Sequence, residues 1–440
     1  MSDPKSGENV SANIKELKAA IEKKTGKTTG QLYEEREKRV RETIQLKQPD
    51  RVPVSMRITY FPAKYTGLQK AASYYDAVAW RNAVIKTVLD YEPDMYQSAT
   101  AKIAGPVLEL LNPTQTRWPG GTLDPNLSHQ AIDVECMKED EYDLFLDAPT
   151  DYTIRYLLPR AFTALKPLAQ MPEIGYRFTG FPVMTPMFTG LEFRKMARAL
   201  FKAGQEQNKW QKKIGNLEQD LADLGVPPHA GTGGAGAAPF DVISDFYRGM
   251  KGAMLDMYRC PDKLVAACDK ILKWQISRAV PADPKKRGNP IRLFLALHRG
   301  AEGFMSRKQF EKFYWPGLKK AMEVSIELGY IPMAFCEGKY GDRLEYFLEL
   351  PKGKAVVHFD QTDMFRAKDI LGDHICIMGN VPSFMLQVGS VQDVEEYCKK
   401  LIQYCGKGGG FILTNGSSLD EVNPANLKAM IDSVKKFNVE

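Results

Sequence analysis

The hydrophobic positions of the C-terminal half come in short, almost continuous runs. These runs lie at residues 291–298, 331–337, 355–360, 374–380 and 409–415. Helical spacing of apolar residues fills the gaps between them, at residues 307–328, 341–349, 363–371 and 390–405. Apolar strands that alternate with helices are typical of a parallel sheet buried on both faces.

Weaker strand patterns precede these five. They lie at residues 51–57, 93–99, 131–135 and 174–180. Eight or nine strands in one run favour a closed barrel over an open doubly wound sheet, and the first strand–helix turn lacks the GxGxxG of a dinucleotide fold. The predicted fold class is therefore α/β, a (β/α)8 TIM barrel over residues 51–440.

The first 50 residues have a different pattern. Helical spacing with dense alternating charge covers residues 14–24 and 31–46, as in LYEEREKRVRETIQL. This predicts two amphipathic helices, an N-terminal helical extension of residues 1–50. We expect them to pack on the outside of the body or against a second copy of the chain, as in a homodimer, and not to carry chemistry.

One insertion interrupts the barrel pattern, at about residues 201–240. A charged helical piece is followed by VPPHAGTGGAGAAPFD, and seven of the twelve residues from 225 to 236 are glycine or proline. No lysine follows in the place that a phosphate-binding GxxxxGK[ST] loop requires. The stretch is either a flexible excursion or a lid over the mouth of the barrel.

Composition and charge exclude several classes of protein. Of the 440 residues 44% are hydrophobic and 26% charged, which is typical of a folded domain. The net charge of +6 is dispersed, so the sequence predicts no nucleic-acid partner. It has no apolar window of about 18 residues, so we expect no membrane span, and the N-terminus has no secretory signal pattern. Seven cysteines without a CxxC pair indicate a reducing, cytoplasmic location.

In a barrel of this kind, functional side chains lie where the strands end. Applying this rule to the predicted strands selects one set of candidates: Arg57, Tyr60, His298, Cys336, Glu337, His358, Asp360, Asn380 and Asn415.

Four of these candidates suit a zinc ion, namely Cys336, Glu337, His298 and His358. Each has an ordinary alternative. A cysteine in an apolar strand is most often a small core residue, and His358 alternates with its neighbours in a way that also fits an outward-facing or a hydrogen-bonded buried histidine. Arg57 suits an anionic substrate group, but an exposed arginine without a role is an equal alternative.

Several segments together resemble the uroporphyrinogen decarboxylase superfamily. They are PDRVPV at residues 49–54, PFDVISDFYRGMKGAMLDMYRCPDKL at 239–264, and the closing stretch with MGNVP, GGFIL and NLKAM, from residue 378 onward. This resemblance covers nearly all of residues 50–440. It implies a single (β/α)8 barrel with its active site at the C-terminal mouth of the strands.

The superfamily's decarboxylases resemble one another in an opening MRQAGRY segment, whose two arginines grip the carboxylates of the porphyrinogen. Here MRITYFPAKY keeps Arg57, but Phe61 or a neighbour fills the second arginine position. The family histidine after the last strand is replaced by the stretch from Asn415 to Ser418, and no aspartate follows Met95. The resemblance therefore disfavours porphyrinogen decarboxylation.

The other main activity of the superfamily is methyl transfer involving a corrinoid carried by a partner protein. Those enzymes share a His-x-Cys zinc motif with a distant cysteine. Here Cys336 matches the near cysteine, but Ala334 takes the histidine position and Ser417 or Ser418 the distant one. Some relatives that demethylate aryl methyl ethers are thought to use a carboxylate, which Glu337 would supply.

The sequence thus predicts a methyltransferase acting between a small methylated substrate (a methoxyaromatic, a methylamine or a thiol) and the corrinoid of a partner protein. Glu337, Tyr60 and Arg57 are the expected catalytic residues. The expected substrate contacts are Arg57, Tyr60, His298, Asp360, Asn380 and Asn415, and zinc is the expected metal. The alternative is a barrel of the same superfamily that binds or decarboxylates a tetrapyrrole or another bulky anionic ligand.

Overall fold

The computed structural model describes residues 5–98, 103–173, 180–231, 234–285 and 291–439. Within them the protein is a mixed α/β structure with parallel sheets. The strands are β1 Ser55–Ile58, β2 Met95–Ser98, β3 Thr116–Arg117, β4 Gln130–Ala131, β5 Arg292–Leu297, β6 Ile331–Cys336, β7 Val356–Phe359, β8 Cys376–Val381 and β9 Phe411–Asn415.

Helices fill most of the remaining chain. The α-helices are α1 Lys5–Thr25, α2 Thr29–Ile44, α3 Phe61–Thr66, α4 Ala72–Tyr75, α5 Ala77–Tyr91, α6 Gly105–Leu111, α7 Tyr142–Asp147, α8 Pro149–Tyr152, α9 Leu158–Ala161, α10 Gly180–Met184, α11 Leu191–Ile214, α12 Leu217–Asp223, α13 Pro239–Val242, α14 Gly249–Arg259, α15 Pro261–Arg278, α16 Arg307–Gln309, α17 Trp315–Glu327, α18 Met364–Leu371, α19 Ser383–Val388, α20 Val391–Cys405 and α21 Pro424–Lys436. Short 3₁₀ helices cover Glu139–Glu141, Thr163–Gln170, Thr185–Thr189 and Gly341–Glu349, and π-helical turns cover Thr153–Leu157, Ile243–Tyr247 and Phe310–Tyr314.

The five C-terminal strands form one parallel sheet in the order β5-β6-β7-β8-β9. Their bounds agree closely with the predicted apolar runs, because strands buried on both faces need apolar residues at nearly every position. The helices predicted between them are present as well. A second parallel pair is formed by β1 and β2, with Arg57 opposite Gln97.

Isolated bridges join these two parallel sheets. Val54 bridges to Leu413 of β9, and the amide of Leu413 donates to the carbonyl of Pro53 at 2.9 Å. On the other side, residues 227–231 contact both β2 and β5: the amide of His229 donates to Tyr96 at 2.5 Å, and that of Gly231 donates to Arg292 at 2.8 Å. The order β2-β1-β9-β8-β7-β6-β5 is therefore continuous, and residues 227–231 contact both of its ends.

The glycine- and proline-rich stretch differs from its prediction. Its described residues do not form an excursion, because Val226, His229, Ala235 and Ala238 are all buried. Pro228 and Gly231 bridge to β2 and β5, which places this part in the wall beside the strands. At Gly234, with φ of +64°, a Cβ atom would lie 2.2 Å from a methyl carbon of Leu293 on β5. Glycine is needed here because the backbone packs directly against a strand. The described residues from 226 to 238 thus belong to the wall of the fold, next to β5, whereas the role of the helical part of the insertion, residues 201–224, stays a prediction.

The second N-terminal helix is part of the core. Val40 and Ile44 of α2 are buried in one cluster with residues from the N-terminal halves of the strands, among them Met95, Met333 and Ile412. A largely buried ion pair fixes this helix in place: Glu37 accepts two hydrogen bonds from Arg292, at 2.7 and 2.8 Å. The helix α2 therefore covers the end of the strands opposite to the predicted site.

Two of the weaker strand predictions, at residues 131–135 and 174–180, do not correspond to long strands in the described residues. Of residues 131–135 only residue 131 is in a strand, as the second half of the short antiparallel pair β3-β4. Residues 174–179 lie outside the described residues. Among the helices that are described, none is long and apolar enough to cross a membrane.

Candidate active site at the strand ends

Arg57 is the central cation at the C-terminal ends of the strands. Its Cζ lies 3.8 Å from the centroid of the Phe335 ring and 5.3 Å from that of Phe294. The Nη1 atom is buried and has no hydrogen-bond partner among the described residues. Burial lowers the pKa of Arg57 to about 10, and the charges of Glu337 and Asp360 partly oppose this shift. A buried cationic donor without a partner can donate a hydrogen bond to a polar group of a ligand.

Two carboxylates accompany Arg57. Glu337 follows β6 and is half-buried, and its charge acts on both Arg57 and His298. Asp360 follows β7; burial raises the pKa of its carboxyl group, whose Oδ2 accepts from the Gly338 amide at 3.3 Å. The strand-end rule therefore does bring Arg57, Glu337, Asp360 and His298 to one region. A pocket of about 750 Å³ opens beside Asp360, between the ends of β7 and β8.

His298 is held by two aspartates that sequence reasoning did not select. Its Nδ1 lies 2.5 Å from Oδ2 of Asp245, and this hydrogen bond raises the pKa of His298. Asp241 is buried and accepts from the backbone amides of His298 and Arg299 and from the hydroxyl of Tyr314, at 2.6 to 3.0 Å. Asp245 lies in the π-helical turn Ile243–Tyr247, and such turns often occur at functional sites.

His358 and His229 lie deeper, between Arg57 and the apolar end of the strands. Each is only 1% exposed, and their ring centroids are 6.5 Å apart. The Nε2 of His358 lies 3.1 Å from the backbone oxygen of Asn415, so His358 is the hydrogen-bonded buried histidine of the ordinary alternative. His229 was missed, because it follows Pro227 and Pro228 in a stretch without an apolar run. One feature of the sequence could have drawn attention to His229: histidine is rare in this chain, which has only five.

Tyr60 is buried just after β1 and takes part in a polar network. Its hydroxyl is 3.0 Å from that of Tyr74 and 3.2 Å from Nδ1 of His129. Burial raises the pKa of Tyr60, so its phenol stays protonated. Its catalytic role stays a prediction.

The two predicted amides serve the scaffold. Asn415 exchanges hydrogen bonds with the backbone of Arg57, at 3.1 and 3.2 Å, and so joins β9 to β1. Asn380 donates to the carbonyls of Asp360 and Thr362 and accepts from Tyr397. These amide groups thus position the strand ends of Arg57 and Asp360. Asn380 also lines the pocket beside Asp360, and the substrate contacts predicted for both amides stay predictions.

Cys336 does not face the site. Successive side chains of a strand point to opposite faces, and Phe335 faces Arg57, so Cys336 packs on the helix side in the core cluster that includes Tyr314 and Tyr340. Burial raises the pKa of the Cys336 thiol well above its usual range, which disfavours the thiolate that zinc requires. In the described parts of the chain, no three His, Cys, Asp or Glu side chains come together as metal ligands. The predicted ligand set of Cys336, Glu337, His298 and His358 therefore does not fit zinc here.

Comparison with known proteins agrees with this fold. Residues 223–437 match the family model described as uroporphyrinogen decarboxylase (URO-D). Among solved structures, a methyltransferase from Methanosarcina mazei is similar over 90% of this chain and 98% of its own, with a TM-score of 0.54 and 15% sequence identity. No curated protein matches the chain. At such low identity the solved structure supports the fold alone.

Proposed function

Because residues 223–437 match the family model described as uroporphyrinogen decarboxylase (URO-D), we propose that this chain is a methyltransferase of that superfamily. It moves a methyl group between a small methylated substrate and a corrinoid carried by a partner protein. Phe61 or a neighbour fills the position where the decarboxylases have a second arginine, and Phe61 is packed into the core. The contrast with Arg57, a buried cation at the strand ends, is the observation that carries the proposal.

Phe61 is fully buried. Its ring stacks on Tyr65 and meets Tyr91 edge-on, both with centroids 5.7 Å away. A tetrapyrrole carries several carboxylates, and binding them calls for several cationic donors. A substrate with one anionic or strongly polar group is the better match to Arg57, which favours the methyltransferase over the decarboxylase alternative.

The fold that this function needs is a closed barrel. We propose that residues 227–231 act as its remaining strand, because their backbone groups bridge β2 on one side and β5 on the other. The two prolines and the glycine of this strand explain why its bridges are isolated ones.

The residues at the strand ends have separate tasks in this proposal. Arg57 binds the polar group of the substrate, and the rings of Phe294 and Phe335 form an apolar wall beside it. Glu337 and Asp360 supply negative charge that keeps Arg57 ionised in spite of its burial. His298, oriented by Asp245, keeps a ring nitrogen available next to Glu337.

The corrinoid supplies the methyl acceptor or donor when its carrier protein docks at the strand ends. The chain's own contribution is to orient the methyl group toward that carrier and to exclude water from the reacting atoms. No step is assigned to zinc, because its predicted ligands lie on different faces of the structure.

A donor panel tests the proposal. The purified chain is mixed with free cob(I)alamin, as a stand-in for the partner's corrinoid, and with a methoxyaromatic, a methylamine or a methyl thioether. We expect the absorbance of methylcobalamin to appear with one donor class. Uroporphyrinogen III is assayed in parallel: its decarboxylation, without methyl transfer from any donor, would establish the alternative.

A further inference from the structure

A crevice of about 360 Å³ lies beside α2, the helix that covers the end of the strands opposite to the proposed site. It is enclosed by α1, α2 and α5 and by the segment that follows α12. Eight of its thirteen lining residues are aliphatic, and none of the thirteen is aromatic. Val88 and Val226 are buried, whereas Leu17, Leu32 and Leu89 are only half-buried. The volume and these walls suit a small ligand with an aliphatic chain.

Arg36 of α2 supplies a guanidinium group to this crevice. Its Nη1 donates to the carbonyl of Gly225 at 2.5 Å. The backbone of Gly225 is fixed in turn, because a Cβ atom there would lie 2.9 Å from the carbonyl oxygen of Thr29. A guanidinium has five N–H donors, and within the described parts of the chain no second acceptor bonds that of Arg36. Its remaining donors are therefore available to a ligand.

The carboxylates that line the crevice are paired with other cations. Glu92 accepts a hydrogen bond from Lys24 at 2.6 Å. Asp90 accepts one from Lys86, also at 2.6 Å. Each of these two pairs is neutral as a whole. They leave the charge of Arg36 uncompensated at this crevice.

One more carboxylate acts on Arg36, that of Asp94. It is bound by both Arg39 and Arg51, with nitrogen–oxygen distances of 2.6 Å. Burial lowers the pKa of Arg36, and the nearby carboxylates oppose this shift only in part. A ligand with one negative charge would neutralise Arg36. A carboxylate has that charge and presents two oxygens in the geometry that a guanidinium binds best.

We infer that this crevice is a binding site for a small aliphatic carboxylic acid, whose carboxylate bonds Arg36 and whose hydrocarbon chain lies among the aliphatic side chains of α1, α2 and α5. The site lies away from the strand ends, so the inference does not rest on the proposed function. Because Leu17 and Ile21 of α1 line the crevice together with residues of α2 and α5, a bound acid would hold α1 against the rest of the fold.

Three compounds test the site on the full chain at pH 7. Hexanoate has both the charge and the chain, 1-hexanol keeps the chain without the charge, and propionate keeps the charge with a shorter chain. Affinities are measured by titration calorimetry or by ligand-observed NMR. We expect hexanoate to bind at least about tenfold more tightly than 1-hexanol, through charge-assisted hydrogen bonds. It should also exceed propionate at least about tenfold, through the buried methylene groups.

Variants locate the preference for the acid. Arg36→Met should bring the affinity ratio of hexanoate to 1-hexanol near one. The matched control is Arg41→Met, because Arg41 lies on the same helix but is exposed and does not line the crevice. It should leave the ratio unchanged. Ala20→Phe is the second test if Arg36→Met does not fold: Ala20 is exposed and lines the crevice, so the larger ring should weaken both hexanoate and 1-hexanol.

Hydrogen exchange of the wild type gives a second readout of the place of binding. Hexanoate at saturation should slow the exchange of the amides in residues 13–25, because a ligand that contacts α1 opposes its local opening. Equal affinities for hexanoate and 1-hexanol, or no binding of hexanoate up to its solubility, would overturn the inference. So would a preference that survives in Arg36→Met, affinities that Ala20→Phe leaves unchanged, or binding without slower exchange in α1.

Discussion

The guanidinium of Arg57 lies over the ring of Phe335, with 3.8 Å between Cζ and the ring centroid. The contact satisfies the face of the guanidinium, whereas its Nη1 stays without a partner in the described part of the chain. A cation–π contact of this kind stabilises by roughly 0.5–2 kcal/mol, which is less than burial of an incompletely bonded charge typically costs. The structure thus retains a costly cation at the point where the strands end.

Replacing Arg57 should therefore leave the fold intact. We expect Arg57→Met to keep the free energy of unfolding unchanged or to raise it by about 1–2 kcal/mol, because methionine fills the space without a buried charge. Chemical denaturation at pH 7 measures this change. Destabilisation by several kcal/mol would mean that Arg57 is a structural residue whose partners lie elsewhere.

For Cys336 we expect the opposite result, a loss of stability without a loss of activity. Because its thiol is buried among core residues on the helix side of β6, Cys336→Ser should lower the free energy of unfolding by about 1–3 kcal/mol through an unpaired hydroxyl. Activity at a temperature where the variant is folded should stay near that of the wild type. The control is Cys336→Ala, which buries no hydroxyl. Loss of activity together with loss of bound zinc would instead restore Cys336 as a metal ligand.

The stability of the protein should depend on pH through Asp241. Burial raises the pKa of Asp241 from 3.8 to about 6. The folded state then binds this proton more tightly than the unfolded state, so the stabilisation is complete below about pH 4 and is lost as the pH rises through 6. Asp241→Asn has no such proton. The difference in free energy of unfolding between the variant and the wild type should shift in the variant's favour from pH 4 to pH 7, as followed by urea denaturation; parallel profiles would contradict this assignment.

The helix α2 should be indispensable for folding. Removing residues 1–46 would expose Met95, Met333 and Ile412 at the covered end of the strands and leave Arg292 without Glu37. We expect this truncation to abolish the cooperative thermal transition seen by circular dichroism. The matched truncation of residues 1–27 removes α1 but keeps α2, and it should still unfold cooperatively. A folded 1–46 truncation would show that α2 is an accessory element.

Sequence patterns predicted the five C-terminal strands to within a residue or two at each end, because a strand buried on both faces is visible as an apolar run. Residues 227–231 were not recognised as a wall segment. The two prolines lack amide donors and Gly231 carries no side chain, so the segment depends on backbone contacts to β2 and β5 that no local pattern reveals. The role of α2 was likewise set by tertiary contacts of Val40 and Ile44.

For the site, the sequence predicted which residues lie at the C-terminal ends of the strands. It did not predict to which face of the sheet each side chain points. Arg57, Glu337, Asp360 and His298 do come to one region, as the strand-end rule predicts. Cys336 was misjudged because a shift of one residue along a strand turns a side chain to the other face. Asp241 and Asp245 were missed because they lie on a helix and a π-helical turn, far in sequence from the strand end that they orient.

The proposed methyltransferase site at Arg57 is tested most directly by a rate measurement. The initial rate of cob(I)alamin methylation with the preferred methyl donor is compared between the wild type and Arg57→Met. We predict methylation by the wild type and a rate lower by about 100-fold in the variant, the loss typical of a displaced substrate. The control is Arg278→Met, because Arg278 also lies over an aromatic ring, Trp274 at 5.3 Å, but at the end of α15, and it should keep the wild-type rate. No methylation with any donor, or equal rates in the wild type and Arg57→Met, would contradict a methyltransferase site at Arg57.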